Sequence, residues 1–293
     1  MKIYRISVIA AAVLSLLACS KDDVSPESIF TDTRTRETEF DRWLQRNYVE
    51  PYNVRFEYRM PDRETSFGYW VSPPNVKESI MIAKLLKFTA LETLIEMMES
   101  DDESVDPALF VKTYFPKVLF LVGSFEISNT GTVNLASAEN GLQINILGVN
   151  FFTVEKDAER IAGTMWHEFS HILDGIYACP AEYKDVTPDG YVGSRYTSLG
   201  NDYLQNGFVS NYARCSVAED IAETCGRLVT LTDKEWEDMF ASAGAGEARL
   251  RMKHSIIKKW LKDSYSVDVE KWGMVYRRRV SELGNMDWES LDE

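Results

Sequence analysis

The chain has 293 residues, 45% of them apolar and 12% aromatic, enough for one large domain or two small ones with a real hydrophobic core. Its formal charge is −14, which repels phosphate backbones and argues against nucleic acid as a partner.

Lys2 and Arg5 precede an apolar run from Ile6 to Ala18, the pattern of an export signal. A transmembrane anchor is the weaker reading, because the run has 13 positions, two of them Ser, against about 20 apolar residues for a span. The run ends at Leu16-Leu17-Ala18-Cys19, which resembles a bacterial lipobox. That resemblance implies removal of residues 1–18 and lipidation of Cys19, whose lipid then holds the protein to a membrane. Ser20-Lys21-Asp22-Asp23 resembles the acidic surface-export signal of Bacteroidetes lipoproteins, although a solvated spacer has the same composition. Residues 19–38 are mostly Ser, Thr, Asp, Glu and Arg with little that is apolar, and read as a flexible tether.

Folded structure is expected from Glu39. Phe40, Trp43, Leu44 and Tyr48 recur at helical spacing, with Pro51 as the stop, and Val54 to Tyr58 alternates like a strand. Val76 to Ser100 carries Ile80, Ala83, Leu86, Leu91, Leu94, Ile95 and Met98 in the rhythm of one long amphipathic helix. Val118 to Phe125 is a buried apolar run. Thr132 to Ala136 and Leu142 to Val149 flank a hairpin-type turn at Glu139-Asn140-Gly141. From there helices are expected over Val154–Tyr177, Ser216–Leu231, Lys234–Ser242, Glu247–Ser264 and Val267–Leu283, with an ordered loop over Cys179–Gln205. Sheet first and helices after indicates the α+β class.

Only three histidines occur, and two of them stand in His167-Glu168-Phe169-Ser170-His171. Residues four apart on a helix lie on one side, so both imidazoles reach one cation and Glu168 falls beside them. At 100° per residue Ile161, Met165, Phe169, Ile172 and Ile176 form an apolar stripe, and His167 and His171 point away from it, as on a cleft wall. Catalytic zinc takes three protein ligands and keeps one position open, so a third donor is needed. The metzincin extension fails, because positions 174 and 177 hold Asp174 and Tyr177. His254 sits among basic neighbours and reads better as a solvated helix histidine. A carboxylate is left: Glu219 and Glu223 share one edge of the helix opened by Ser216. Ser216-x-x-Glu219 is equally a capping box, in which Glu219 would only bond the Ser216 backbone N–H.

With these residues the chain resembles the gluzincins, which pair His-Glu-x-x-His with a downstream Glu-x-x-Ala-Asp/Glu helix, here Glu219-Asp220-Ile221-Ala222-Glu223. The resemblance implies a zincin fold with a small mixed sheet, Zn2+ held by His167, His171 and Glu219, and Glu223 supporting a ligand from behind. Gly207 to Ala213 followed by Glu219 is similar to the lethal-factor-like peptidases, in which a Tyr seven residues before the ligand Glu faces the metal's water; here that is Tyr212. With the lipobox included, the chain resembles the zinc-binding metallopeptidase lipoproteins of Bacteroidetes, described as substrate import-associated. Implied are one domain over 39–293, with an N-terminal α/β part 39–178 and a helical part 179–293. Also implied are a peptide or protein substrate, an outer-membrane location open to the cell surface, and a partnership with an outer-membrane importer. In that reading Glu168 is the general base, and the strand Leu142–Val149 could pair with an extended substrate. A non-catalytic lipoprotein that captures substrate, and an amidase or deacylase using the same chemistry, stand as alternatives.

The cysteines beyond Cys19 are Cys179, Cys215 and Cys225. Cys215 and Cys225 would lie about 15 Å apart along one helix, beyond the roughly 7 Å that a disulfide spans between Cα atoms. Any bridge must therefore use Cys179.

Overall fold

The computed structural model describes residues 37–60, 71–100, 104, 106–127, 133–134, 136–139 and 142–292. The export signal, Cys19, nearly all of the tether and the turn at Asn140-Gly141 lie outside the described residues. From Glu39 onward the chain forms one unit.

Helix α1 runs Glu39–Leu44, passes through a π turn at Gln45–Val49 and finishes at Glu50–Tyr52. It therefore continues past Pro51, where the sequence suggests a stop. Glu50 donates five residues back to Gln45, and this wider turn relieves the clash that a proline ring makes in a regular helix. The chain turns away at Asn53, in the left-handed region with φ 55°. Helix α2 spans Val76–Leu86, a second π turn Lys87–Leu91, and Glu92–Met98. Its buried face carries Ile82, Ala83, Leu86, Ala90, Leu91, Leu94 and Met97, and the Ala83 carbonyl accepts the buried Tyr48 hydroxyl at 2.5 Å. Helix α3, Ala108–Tyr114, has no counterpart in the sequence reading. Asp106 caps it through the Ala108 N–H at 2.9 Å, and Phe110 and Val111 pin it to the core.

Strands β1 (Arg55–Glu57), β2 (Val118–Leu121), β5 (Ala136–Glu139) and β6 (Gln143–Ile146) form one sheet in the order β1-β2-β6-β5. β1, β2 and β6 are parallel, and β5 is antiparallel to β6, with Ala136 opposite Ile146 and Glu139 opposite Gln143. β3 (Glu126–Ile127) and β4 (Val133–Asn134) make a separate antiparallel pair. The hairpin strand is thus Ala136–Glu139 rather than Thr132–Ala136. A second expectation is also corrected: β6 has a strand on each side, so its backbone groups are committed and it cannot pair with a substrate. Among the described residues β5 is one edge of the sheet, β1 the other, and β5 lies alongside the next helix.

That helix, α4 (Val154–Ile176), leads the helical half, followed by α5 (Val217–Thr230), α6 (Asp233–Ser242), α7 (Glu247–Tyr265) and α8 (Val269–Ser281). The stripe Ile161, Met165, Phe169 and Ile172 is buried as its spacing requires, whereas Ile176, in the last residue of the helix, is 44% exposed. Trp166 meets Trp272 of α8 edge-on at 5.0 Å, and Phe169 packs against Phe115, Phe110 and Trp272. This aromatic cluster fixes the rotation of α4 about its own axis. The loop from Cys179 to Gln205 contains one helical turn at Glu182–Asp185 and a 3-10 stretch at Gly193–Ser198.

Candidate metal centre

With one face of α4 locked into the aromatic core, the opposite face turns towards α5. The two helices approach so closely that a Cβ on Gly226 of α5 would stand 3.7 Å from the His167 backbone nitrogen. At the other helix start, Ser216 accepts the Glu219 N–H at 3.2 Å, which frees α5 to begin at Val217. The Glu219 side chain does not complete a capping box. Thr232 and Glu235 show the complete version at the start of α6, where the Glu235 carboxylate returns to the Thr232 N–H at 2.8 Å. The Glu219 carboxylate instead crosses to α4.

There its Oε2 lies 3.1 Å from His167 Nε2 and 3.3 Å from His171 Nε2, and the two ring nitrogens are 3.2 Å apart. Donors of a tetrahedral zinc ion at about 2.0–2.1 Å stand about 3.3–3.4 Å from one another. The triangle of donor atoms fits that geometry to within a few tenths of an ångström. His167, His171 and Glu219 form the one cluster of metal-capable donors among the described residues, and all three are only partly buried. Glu223, one turn beyond Glu219, places Oε1 3.1 Å from His167 Nδ1. A proton on Nδ1 donated to this carboxylate leaves the Nε2 lone pair aimed at the cluster. Ser210 donates to Glu223 Oε2 at 2.6 Å and Arg227 stands 3.5 Å from the same oxygen, so Glu223 is itself held from two sides.

The electrostatics favour a cation here. Burial opposes a charged His167 ring, but the Glu219 and Glu223 carboxylates outweigh it and push its pKa up to about 10. Burial likewise opposes a charged Glu219, yet hydrogen bonding to both imidazoles holds its carboxyl well below the usual range.

Glu168 is 7% exposed on α4, next to His167 and close enough to act on its charge. Tyr212 lies in a 3-10 turn, Tyr212–Arg214, with its ring stacked over His167 at 5.9 Å. Burial first and the nearby Glu219 carboxylate second raise the pKa of its hydroxyl. Sequence reasoning gave no role to Ser210 or Tyr196. Ser210 also accepts the Ala213 N–H at 3.1 Å and so ties the Tyr212 turn to Glu223. Tyr196, from the Cys179–Gln205 loop, meets the Tyr212 ring edge-on at 5.3 Å. Ser210 falls inside the Gly207–Ala213 motif, but nothing in its spacing signals a partner 13 residues away.

His254 is elsewhere and is half-buried rather than fully solvated. Trp236 and Phe240 of α6 cover it at 4.7 and 5.6 Å, and burial, with Lys258 nearby, lowers its pKa to about 4. Cys179, Cys215 and Cys225 are free thiols, so no bridge through Cys179 is made. Burial on α5 pushes the Cys225 thiol up to about 12.

Residues 33–270 match the model of a protein family described as "putative zinc-binding metallo-peptidase". A crystal structure described as a "putative zinc-binding metallo-peptidase" from Bacteroides caccae is similar over 90% of this chain and all of its own, at 30% sequence identity and a TM-score of 0.71. No curated protein matches. Zinc is the metal that both descriptions print and that the two imidazoles and one carboxylate suit.

Glu223→Gln removes the charge behind His167 and leaves the three donors in place. Zinc affinity, measured by competition with a chromogenic chelator, is expected to fall about 10- to 100-fold. An unchanged affinity would show that Glu223 does not support the ligand.

Proposed function

Because this chain belongs to the family described as "putative zinc-binding metallo-peptidase", we propose that it is a gluzincin-like zinc peptidase of the zincin fold, with His167, His171 and Glu219 as its ligands. The observation that carries the reading is the meeting of Glu219 with both imidazoles at 3.1 and 3.3 Å while Glu168 sits beside them. Bound zinc supplies Lewis acidity, polarising the scissile carbonyl and bringing the pKa of water to about 7. Glu168 takes the proton of the attacking water and returns it to the leaving nitrogen. The Tyr212 hydroxyl donates a hydrogen bond to the oxyanion as the carbonyl carbon becomes tetrahedral. Glu223 keeps His167 in the tautomer that offers Nε2. An extended substrate backbone lies along β5, whose outer edge carries no strand among the described residues and which runs beside α4.

The protein works at a membrane surface in this reading. The lipobox-like Leu16–Cys19 segment supports attachment through a lipid on Cys19, in the outer membrane and facing the cell exterior, beside an importer that takes up the products. The substrate is then a peptide or protein too large to enter that importer uncut.

Glu168→Gln should bind one zinc per chain as the parent does and lose peptide hydrolysis by a factor of at least about 10² in kcat. Full turnover in this variant would end the proposed mechanism. Cys19→Ser, expressed in the native host type, should move the protein from the membrane pellet to the soluble fraction; retention in the pellet would remove the lipid anchor.

A further inference from the structure

Asp220 directly follows Glu219, and one residue's rotation about α5 turns its side chain away from the metal centre into the interior, where it is 0% exposed. Lys253 of α7, 1% exposed, meets it there, with Nζ 2.6 Å from Asp220 Oδ2. The Tyr191 hydroxyl donates to the same Oδ2 at 2.9 Å, and the Tyr183 hydroxyl donates to the Asp220 carbonyl oxygen at 3.1 Å. Lys253 Nζ also donates to the Gly207 carbonyl at 2.9 Å and stands 3.8 Å from the centre of the Phe208 ring. One buried carboxylate therefore joins α5, α7, the Cys179–Gln205 loop and the segment that leads to Tyr212. None of these groups takes part in the hydrolysis outlined above.

A buried ion pair is a poor choice for holding a core together, since apolar side chains of similar volume often serve as well or better. What it adds is direction, because a short charged contact with further hydrogen bonds tolerates one arrangement of the segments it joins. The segment gripped here is constrained on its own account. Gly207 has φ +83°, and a Cβ there would come within 2.6 Å of Arg249 Cβ on α7. Tyr212 follows five residues later and Glu219 precedes Asp220, so both groups at the metal centre take their positions from the same buried contact.

We propose that the Asp220–Lys253 pair is a positioning device for the reaction, fixing the Gly207–Tyr212 segment against α5 so that the Tyr212 hydroxyl keeps its place relative to Glu219. The proposal rests on the reading of Tyr212 as the oxyanion donor. Lys253 and Asp220 are positioning residues, and touch neither zinc nor substrate.

The test uses the full zinc-loaded chain and the neutral pair Asp220→Asn with Lys253→Gln. That double variant is expected to keep one zinc, to hold KM for a peptide substrate within about twofold, and to lose kcat by about tenfold or more. Adding Tyr212→Phe should cost little more, because the two changes act through one hydroxyl. An unchanged kcat, or losses that multiply, would overturn the proposal. Hydrogen exchange provides a reading independent of turnover: amides of residues 207–213 should exchange faster in the double variant while those of α4 do not, and equal rates in the segment would overturn it. If the parent protein cleaves no peptide, the peptidase reading fails by itself and the exchange measurement still decides the role of the pair. Should the double variant not fold, Tyr191→Phe, which removes one hydrogen bond to Asp220 without uncovering a charge, takes its place with the same two readings.

Discussion

The contact between α4 and α5 is the constraint on which the centre depends. Each helix carries its donors one turn apart, His167 with His171 and Glu219 with Glu223, and neither pair alone makes a closed set. The Trp166, Phe169 and Trp272 cluster sets the rotation of α4, so its histidines face α5 instead of the core or solvent. Four groups then interlock across a single helix interface. Two carboxylates facing two imidazoles at about 3 Å would be an awkward arrangement without positive charge between them. The fold therefore places its binding chemistry at a close helix contact backed by buried aromatic rings, which is how a site keeps geometry without help from the ligand.

Around that interface the polar groups fall into two layers. Those nearest the metal centre stay partly open. Behind them stand the groups that hold the acidic side chains: Ser210 and Arg227 on Glu223 Oε2, and Lys253 and Tyr191 on Asp220 Oδ2. The loop from Cys179 to Gln205, rich in Gly, Pro, Asp and Tyr, is joined to this second layer. Val192 and Gly193 donate to the carbonyls of Arg214 and Cys215, and Arg214 pairs with Asp202 at 2.9 Å. Loop residues such as Tyr196 are thus placed by the same scaffold that places Tyr212.

The long helices were legible because their apolar residues recur often enough to fix a phase; the whole of α4, including the side on which His167 and His171 emerge, follows from Ile161, Met165, Phe169 and Ile172. Helix α3 was not, since seven residues with two buried side chains give no period to read. Alternation locates β6 but carries no information on strand order, and so it suggests for substrate pairing a strand that lies inside the sheet. Glu219 shows the same limit at a single residue. Ser216-x-x-Glu219 and Thr232-x-x-Glu235 look alike in sequence, yet the second closes a capping box and the first sends its carboxylate across to another helix, a choice made by tertiary proximity. His254 reads as solvated because its own helix is basic, while the rings that partly cover it come from α6.

X-ray absorption at the zinc edge, on the full chain loaded with one equivalent of zinc, tests this account most directly. It predicts nitrogen and oxygen donors alone at about 2.0–2.1 Å, with the multiple scattering of two imidazoles. Scattering from a third imidazole, which only His254 could supply, or from a sulfur at about 2.3 Å would contradict it.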